Sequence, residues 1–203
     1  MIQYFLERPY LIVIMAAVIA LTVFVCIKAG RASARRSRAN EAIMKKLKEE
    51  NELRNEFAIL TESIAEKSEP DRLFKGVALN LQKKIHDAPD MVAEFAKLTQ
   101  EQREIYALSF IIEDGGEKLS NFFRANGQPL TGEAVNAVDR LFAGRAGEIF
   151  KSEFERFDPD NETASVIPEE IEKADREFAE ILGEKDICAA AGRFIAENIE
   201  KFI

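Results

Sequence analysis

The chain has 203 residues, and its 36 acidic side chains outnumber its 28 lysines and arginines, which gives a net charge of −8. The charge is distributed unevenly, because residues 1–68 carry 11 basic and 8 acidic side chains whereas residues 69–203 carry 17 basic and 28 acidic ones. An acidic domain is repelled by nucleic acid. We therefore expect no direct nucleic-acid binding, and we expect a protein partner, one with a basic surface.

The sequence contains few residues suited to covalent or metal chemistry. Its two cysteines, Cys26 and Cys188, cannot form a disulfide framework or a cysteine metal site, which agrees with a reducing compartment. Its one histidine, His86, is predicted to lie at a helix end, where its partial charge suits the helix dipole, and Cys188 is predicted to be a small core residue. We predict no catalytic residue, no cofactor and no metal ligand.

An apolar segment near the N-terminus predicts a membrane anchor. Residues Tyr10 to Ile27 are eighteen residues without a charge, and eleven of them are Leu, Ile, Val or Phe. A helix of this length spans about 27 Å, close to the thickness of the hydrocarbon core. Ala16 and Ala20 form a small-xxx-small pair of the kind that seats helix dimers in membranes.

A basic cluster directly after the apolar segment predicts the orientation of the anchor. Such a cluster keeps the following chain in the cytoplasm, so the N-terminus is expected outside and the rest of the chain inside. A cleaved signal peptide is the alternative, but Glu7 and Arg8 precede the apolar segment instead of a basic cluster. The same cluster is predicted to contact anionic lipid head groups. Its members are Lys28, Arg31, Arg35, Arg36 and Arg38.

Residues 41–67 are rich in helix-forming residues and contain no glycine or proline, so they predict a long helical stalk between membrane and domain. Leu53, Phe57, Leu60 and Ile64 alternate at spacings of four and three residues, which is a heptad pattern. Three interpretations follow. Stalks of neighbouring molecules pair as a short coiled coil, the apolar stripe packs on its own domain, or the helix only spaces the domain from the membrane.

The rest of the chain, residues 70–203, is predicted to be an acidic, all-helical cytoplasmic domain. Apolar residues recur at helical spacing throughout, and no segment alternates as a strand would. The predicted class is all-α: a transmembrane helix within residues 1–28, a basic segment and stalk over 29–69, and a multi-helix globular domain. The predicted starts and stops are a cap at Asp71, a capping box at Thr99 and Gln102, a left-handed helix end at Gly127, a cap at Thr131, and helices over 168–182 and 186–203.

Several short motifs over residues 90–203 resemble the DNA-mimic-protein-like family of bacterial helical domains of unknown function. The resemblance implies a helical, acidic domain that binds a partner protein, which in the best-known member is a DNA-binding regulator. It also implies a bacterial plasma membrane as the site of the anchor. The motifs are Gly115-Gly116, Phe122-Phe123, Asn126-Gly127, a helix with Ala134 and Ala137, Asp175-Arg176-Glu177-Phe178 and the closing helix from Arg193 to Phe202.

Three clusters remain as candidate sites. Phe122, Phe123, Arg124 and Asn126 are predicted to form a partner-binding surface. Glu113 and Asp114, beside Gly115-Gly116, could pair their carboxylates for acid–base chemistry, but consecutive acids at a helix end usually face water. The segment 158–169 imitates a calcium loop, but its sixth position is threonine where the sharp turn requires glycine.

We therefore predict a membrane-tethered cytoplasmic module that binds a protein partner and is not an enzyme. One alternative is an enzyme that uses carboxylates with a divalent metal ion. Another is a structural protein that organises the membrane through homodimers of its stalk or anchor.

Overall fold

The computed structural model describes Leu21, Phe24, Lys28, Ser37 and residues 40–116, 118–142, 144–157 and 167–203. The chain divides into two compact units, Met1–Glu49 and Glu50–Ile203. Every regular element among the described residues is helical, which confirms the predicted all-α class.

Most of the predicted membrane anchor, and the arginines of the basic cluster, lie outside the described residues. The residues described in this part of the chain include Leu21, Phe24 and Lys28, which are helical and exposed. The Lys28 ammonium lies 5.2 Å from the centroid of the Phe24 ring. Within the part of the chain that was described, no helix is long and apolar enough to cross a membrane.

The first unit is described continuously over residues 40–49, which are helical and exposed. The second unit begins with the helical residues 50–56 and continues through nine further α-helices among its described residues. These are α1 (Glu62–Lys67), α2 (Pro70–His86), α3 (Met91–Ala96), α4 (Gln100–Phe110), α5 (Leu119–Ala125), α6 (Leu130–Leu141), α7 (Arg145–Phe157), α8 (Pro168–Ile181) and α9 (Glu184–Glu197). A π-helical turn, Ile111–Gly115, extends α4, and a 3₁₀ turn, Ile199–Lys201, follows α9.

The prediction of one long stalk helix over residues 41–67 is wrong, because the helical run ends at Glu56. The ring of Phe57 is 3% exposed and lies against Gly76 of α2, where a Cβ atom would be 2.1 Å from the ring. Burying a phenylalanine contributes about 2 kcal/mol, more than helix propensity gains over a few residues. Leu53, Leu60 and Ile64 pack on the same core, which supports packing on the domain over a coiled coil along this stripe.

Helices α2 and α9 form the most extensive helix pair in the second unit. Their backbones approach closely where Gly192 of α9 meets Pro70, the first residue of α2: a Cβ atom on Gly192 would lie 2.0 Å from the Pro70 carbonyl oxygen. Around this contact, Leu73 and Phe74 of α2 and Ile195 of α9 are almost completely buried. The pair therefore depends on a residue without a side chain.

The predicted helix ends were partly confirmed. Thr99 and Gln102 form the predicted capping box. Two other predicted caps are wrong. Helix α2 begins at Pro70, so Asp71 lies inside the helix and does not cap it. Helix α6 begins after Pro129, so Thr131 also lies inside its helix, where it is buried. Gly127 does not adopt the predicted left-handed conformation; α5 ends in an extended residue, Asn126.

Helix α7 was not predicted as a separate element. Gly144, with a φ of +99°, directly precedes α7, and this left-handed conformation favours glycine. The two final helices are confirmed with shifted bounds: α8 ends at Ile181, and α9 begins at Glu184 after a cap at Gly183, whose N–H donates to Asp186.

We predict that Gly192→Ala destabilises the protein, because the new methyl group would overlap the Pro70 carbonyl and force the helices apart. Such overpacking typically costs about 1 to 3 kcal/mol. The matched control is Gly147→Ala in α7, where the added Cβ would meet its neighbours at 3.6 Å or more, an ordinary contact, and alanine gains up to about 1 kcal/mol of helix propensity. Urea denaturation of both variants measures the difference, and equal stabilities would contradict the proposed role of Gly192.

Candidate functional site

The predicted partner surface is largely buried. Phe122 is 0% and Phe123 5% exposed, so neither ring can contact a partner, and their assignment to a surface is wrong. Both belong to an aromatic cluster that joins α5 to α7: the ring of Phe123 stacks on Phe157 at 5.8 Å and lies 4.9 Å from Phe150. The Phe-Phe pair is a core element, because both rings turn towards the α7 aromatics.

Arg124 and Asn126, the other two members of that predicted surface, have local roles. The exposed Arg124 guanidinium lies 5.7 Å from the centroid of the Phe157 ring, a cation–π distance. The Asn126 amide donates to the Asp114 carboxylate at 2.8 Å and to the Phe122 carbonyl at 3.0 Å. Asp114 is thus bonded to Asn126, whereas the Glu113 carboxylate accepts a hydrogen bond from the Gln82 amide of α2 at 2.8 Å. The two consecutive acids therefore do not act on a common point.

His86 and Cys188 lie where the sequence predicted. His86 is an exposed residue in the last turn of α2. Cys188 is fully buried in α9, and burial raises the pKa of its thiol to about 11. A thiol with a raised pKa is mostly protonated at neutral pH and is a weak nucleophile.

Glu153 of α7 is the most unusual ionisable residue of the described chain. It is fully buried, and neither carboxyl oxygen accepts a hydrogen bond from the residues that the structure describes. The nearest cation, Nη1 of Arg156, is 3.6 Å from Oε1, too far for a hydrogen bond, and the other terminal nitrogen of Arg156 contacts Glu170 at 2.9 Å. Burial, reinforced by the charge of Asp175, raises the pKa of Glu153 to about 7.

Asp175 of α8 is buried and fully engaged. Its two oxygens accept hydrogen bonds from the backbone N–H and the hydroxyl of Ser120, both at 2.7 Å. Ser120 lies in the first turn of α5, whose backbone N–H groups have no partner within the helix. Asp175 therefore caps α5 from another helix, which explains a buried acid in the Asp175-Arg176-Glu177-Phe178 segment without a catalytic role.

A cavity of about 320 Å³ lies beside Asp175, between the Gly115-Gly116 turn and α8. Its walls are mainly apolar, with Leu119, Phe178 and Ile187 among them, and Glu184 at its edge is paired with Lys75 at 3.0 Å. Glu153 does not line this cavity. The Glu153 carboxyl group, with its raised pKa, and this cavity are therefore separate, and they do not form an acid–base site.

A third buried acid, Glu104, joins α4 to α6. Its Oε1 lies 3.0 Å from both the Gln100 amide nitrogen and the Arg140 guanidinium, whereas its Oε2 has no partner among the described residues. Burial raises the pKa of Glu104, and the contacts with Gln100 and Arg140 oppose that rise. Arg140 also lies 5.7 Å from the centroid of the Phe194 ring. This network links α4, α6 and α9.

An apolar groove beside α3, which we call the α3 groove, faces solvent. Met91 and Val92 of α3 are 53% and 72% exposed. They border a shallow depression of about 170 Å³. Its other walls are Ile85, Phe95, Tyr106, Pro129 and Leu130. Met91 and Phe95 lie one turn apart on the same helix face, yet only Phe95 is buried, because the neighbouring helices leave Met91 and Val92 uncovered.

The charge of the two units is strongly separated. Residues 50–203 carry 33 acidic and 19 basic side chains, a net charge of −14, whereas residues 1–49 carry 9 basic and 3 acidic ones, a net charge of +6. Among the described residues no group of three or more His, Cys, Asp or Glu side chains is placed to hold a metal ion. The first residues of the segment that imitates a calcium loop, 158–166, lie outside the description, and Glu169 is exposed.

We predict that the free energy of unfolding decreases as the pH rises from about 5 to about 8, because Glu153 binds its proton more tightly in the folded chain than in the unfolded chain. Its raised pKa, about 7, corresponds to a loss of about 3 kcal/mol across this window. Glu153→Gln cannot ionise and should remove this component, whereas Glu180→Gln, the same change at an exposed position of α8, should keep it. Chemical denaturation at several pH values measures the slope, and equal slopes in parent and Glu153→Gln would contradict the prediction.

No protein-family model matches this chain, and comparison with curated proteins and with solved structures finds no significant similarity. The resemblance to the DNA-mimic-protein-like family therefore stays a prediction.

Proposed function

We propose that the chain is a membrane-tethered helical module that binds a protein partner through the α3 groove. The observation that carries the proposal is the exposure of Met91 and Val92 beside an apolar depression. Exposed apolar groups that surround a depression are typical of protein interaction sites, whereas single exposed apolar residues are common everywhere.

The occupant that fits best is the apolar face of an amphipathic helix from a partner that is basic elsewhere. The depression is lined almost entirely by apolar side chains, and the Tyr106 ring, 5.5 Å from Phe95, forms part of its floor. Apolar anchors in such a groove contribute affinity. The net charge of −14 on the surrounding unit would attract a basic protein and increase its association rate.

The tether is supported by the sequence of the first unit. The uncharged residues Tyr10 to Ile27 are followed at once by the basic cluster from Lys28 to Arg38, the arrangement typical of an uncleaved anchor with a cytoplasmic C-terminal domain. In this proposal the α3 groove lies at the cytoplasmic face of a bacterial plasma membrane. Binding would then bring a soluble basic protein to that membrane.

We expect Val18→Arg/Ile19→Arg to prevent membrane insertion. Two arginines at the centre of a span cost about 5 to 7 kcal/mol, whereas the eleven large apolar residues contribute roughly 3 to 7 kcal/mol. The double variant should be extracted from membranes by alkaline carbonate, and the parent should not. Asn121→Arg/Ala125→Arg adds the same charge to exposed positions of α5 and should behave like the parent. Extraction of the parent under these conditions would contradict the tether.

A photoreactive benzoylphenylalanine at position 92 tests the α3 groove in cells. We expect one discrete adduct with a basic protein, and we expect Met91→Asp to reduce its yield because a charge in the groove opposes apolar docking. The matched control is the same photoreactive residue at Ile181 of α8, an apolar side chain that is 44% exposed and lies outside the groove. Equal adducts from both positions, an adduct with a second copy of this chain, or none at position 92 would contradict the proposal.

A further inference from the structure

The helical residues 40–49 of the first unit expose an apolar face. Ile43 is 57%, Met44 65% and Leu47 53% exposed. At about 100° per residue these three side chains fall within an arc of roughly 100°, which is the width of the apolar face of an amphipathic helix. Three large apolar side chains in contact with water on one helix face indicate a surface that a ligand covers.

Basic residues border this apolar face. Lys46 flanks the apolar face on one side and Lys48 flanks it on the other. Lys45 and Glu49 lie on the opposite face of the helix, where the Lys45 ammonium is 3.7 Å from the Glu49 carboxylate. The surrounding sequence is strongly basic, because residues 28–48 contain eight lysines and arginines and one acid, Glu41. A helix with an apolar face flanked by lysines is typical of segments that lie in the surface of an anionic membrane.

We infer that residues 40–48 form an interfacial helix that lies in the plane of an anionic lipid surface. Ile43, Met44 and Leu47 would enter the boundary between head groups and acyl chains, and the flanking lysines would contact lipid phosphates. This inference rests on the proposed tether. Twelve residues lie between Ile27 and Asn40, and even a fully extended chain spans only about 45 Å from one to the other, so the anchor would keep this helix near the lipid surface.

Pairing of two copies through the same face fits less well. The spacing of Ile43 and Leu47 covers one heptad, and stable coiled coils need about three or four. The stripe cannot continue through Phe57, because that ring is buried in its own core. In a parallel pair the lysines that border the face would also approach those of the second copy, and like charges repel.

A single tryptophan can report the depth of each helix face, because the chain contains none. The full-length Leu47→Trp variant is reconstituted into vesicles of phosphatidylcholine with phosphatidylglycerol that carry brominated acyl chains. We expect blue-shifted emission and strong quenching by bromine. Glu49→Trp, on the opposite face, should show neither effect. Adding Lys46→Gln/Lys48→Gln should lower the ratio of bound to unbound helix about 30-fold, the effect of two basic residues at an anionic surface.

The outcomes separate the interfacial helix from the tether. If the protein floats with the vesicles but Leu47→Trp is not quenched, the interfacial helix is overturned and the tether is retained. A blue shift without quenching that disappears on dilution with lipid would indicate a second copy and would also overturn it. Equal quenching of Leu47→Trp and Glu49→Trp would exclude a helix that lies with one face in lipid. A protein that does not float would contradict both proposals.

Discussion

The close approach of α9 to the start of α2 is the constraint on which the second unit depends. Gly192 leaves the space that the Pro70 carbonyl occupies, and Gly76, two turns further along α2, leaves the space for the Phe57 ring. At the packing density of a protein interior, a side chain added at either glycine would have to displace its neighbour. Helix α2 is thus fixed by α9 near its first turn and by the preceding chain at its middle, and this pair carries α1, α3, α4 and α6.

Buried acids hold the rest of the assembly in register. Asp175 satisfies the first turn of α5 from α8, and Glu104 joins α4 to α6 through Arg140. Glu153 differs, because neither of its carboxyl oxygens has a hydrogen-bond partner among the described residues. A buried polar group without a partner lowers stability. Glu153 lies on α7 between Phe150 and Phe157, and it lines neither the cavity beside Asp175 nor the α3 groove.

Local signals in the sequence predicted local structure well. The capping box at Thr99, the position of His86 at a helix end and the burial of Cys188 each depend on residues close in sequence or on side-chain size.

The break at Phe57 could not be predicted, because its cause is a glycine nineteen residues away whose importance appears only when α2 and the ring meet. Phe122-Phe123 was misassigned for a related reason: the pair gives no sign of α7, whose aromatic side chains bury it. The α3 groove was missed because helical spacing alone does not say which apolar residues the neighbouring helices leave uncovered.

The Phe57 ring in its slot on α2 also has a mechanical meaning. The chain enters the packed core of the second unit at Leu53 and Phe57, so tension applied from the N-terminal side first loads the contacts of this segment with α2. Pulling would have to shear an aromatic ring out of a slot shaped by Gly76, and the helices behind it would bear load only after that. The Phe57 contact is therefore the first point of mechanical resistance to a force applied from the N-terminal side.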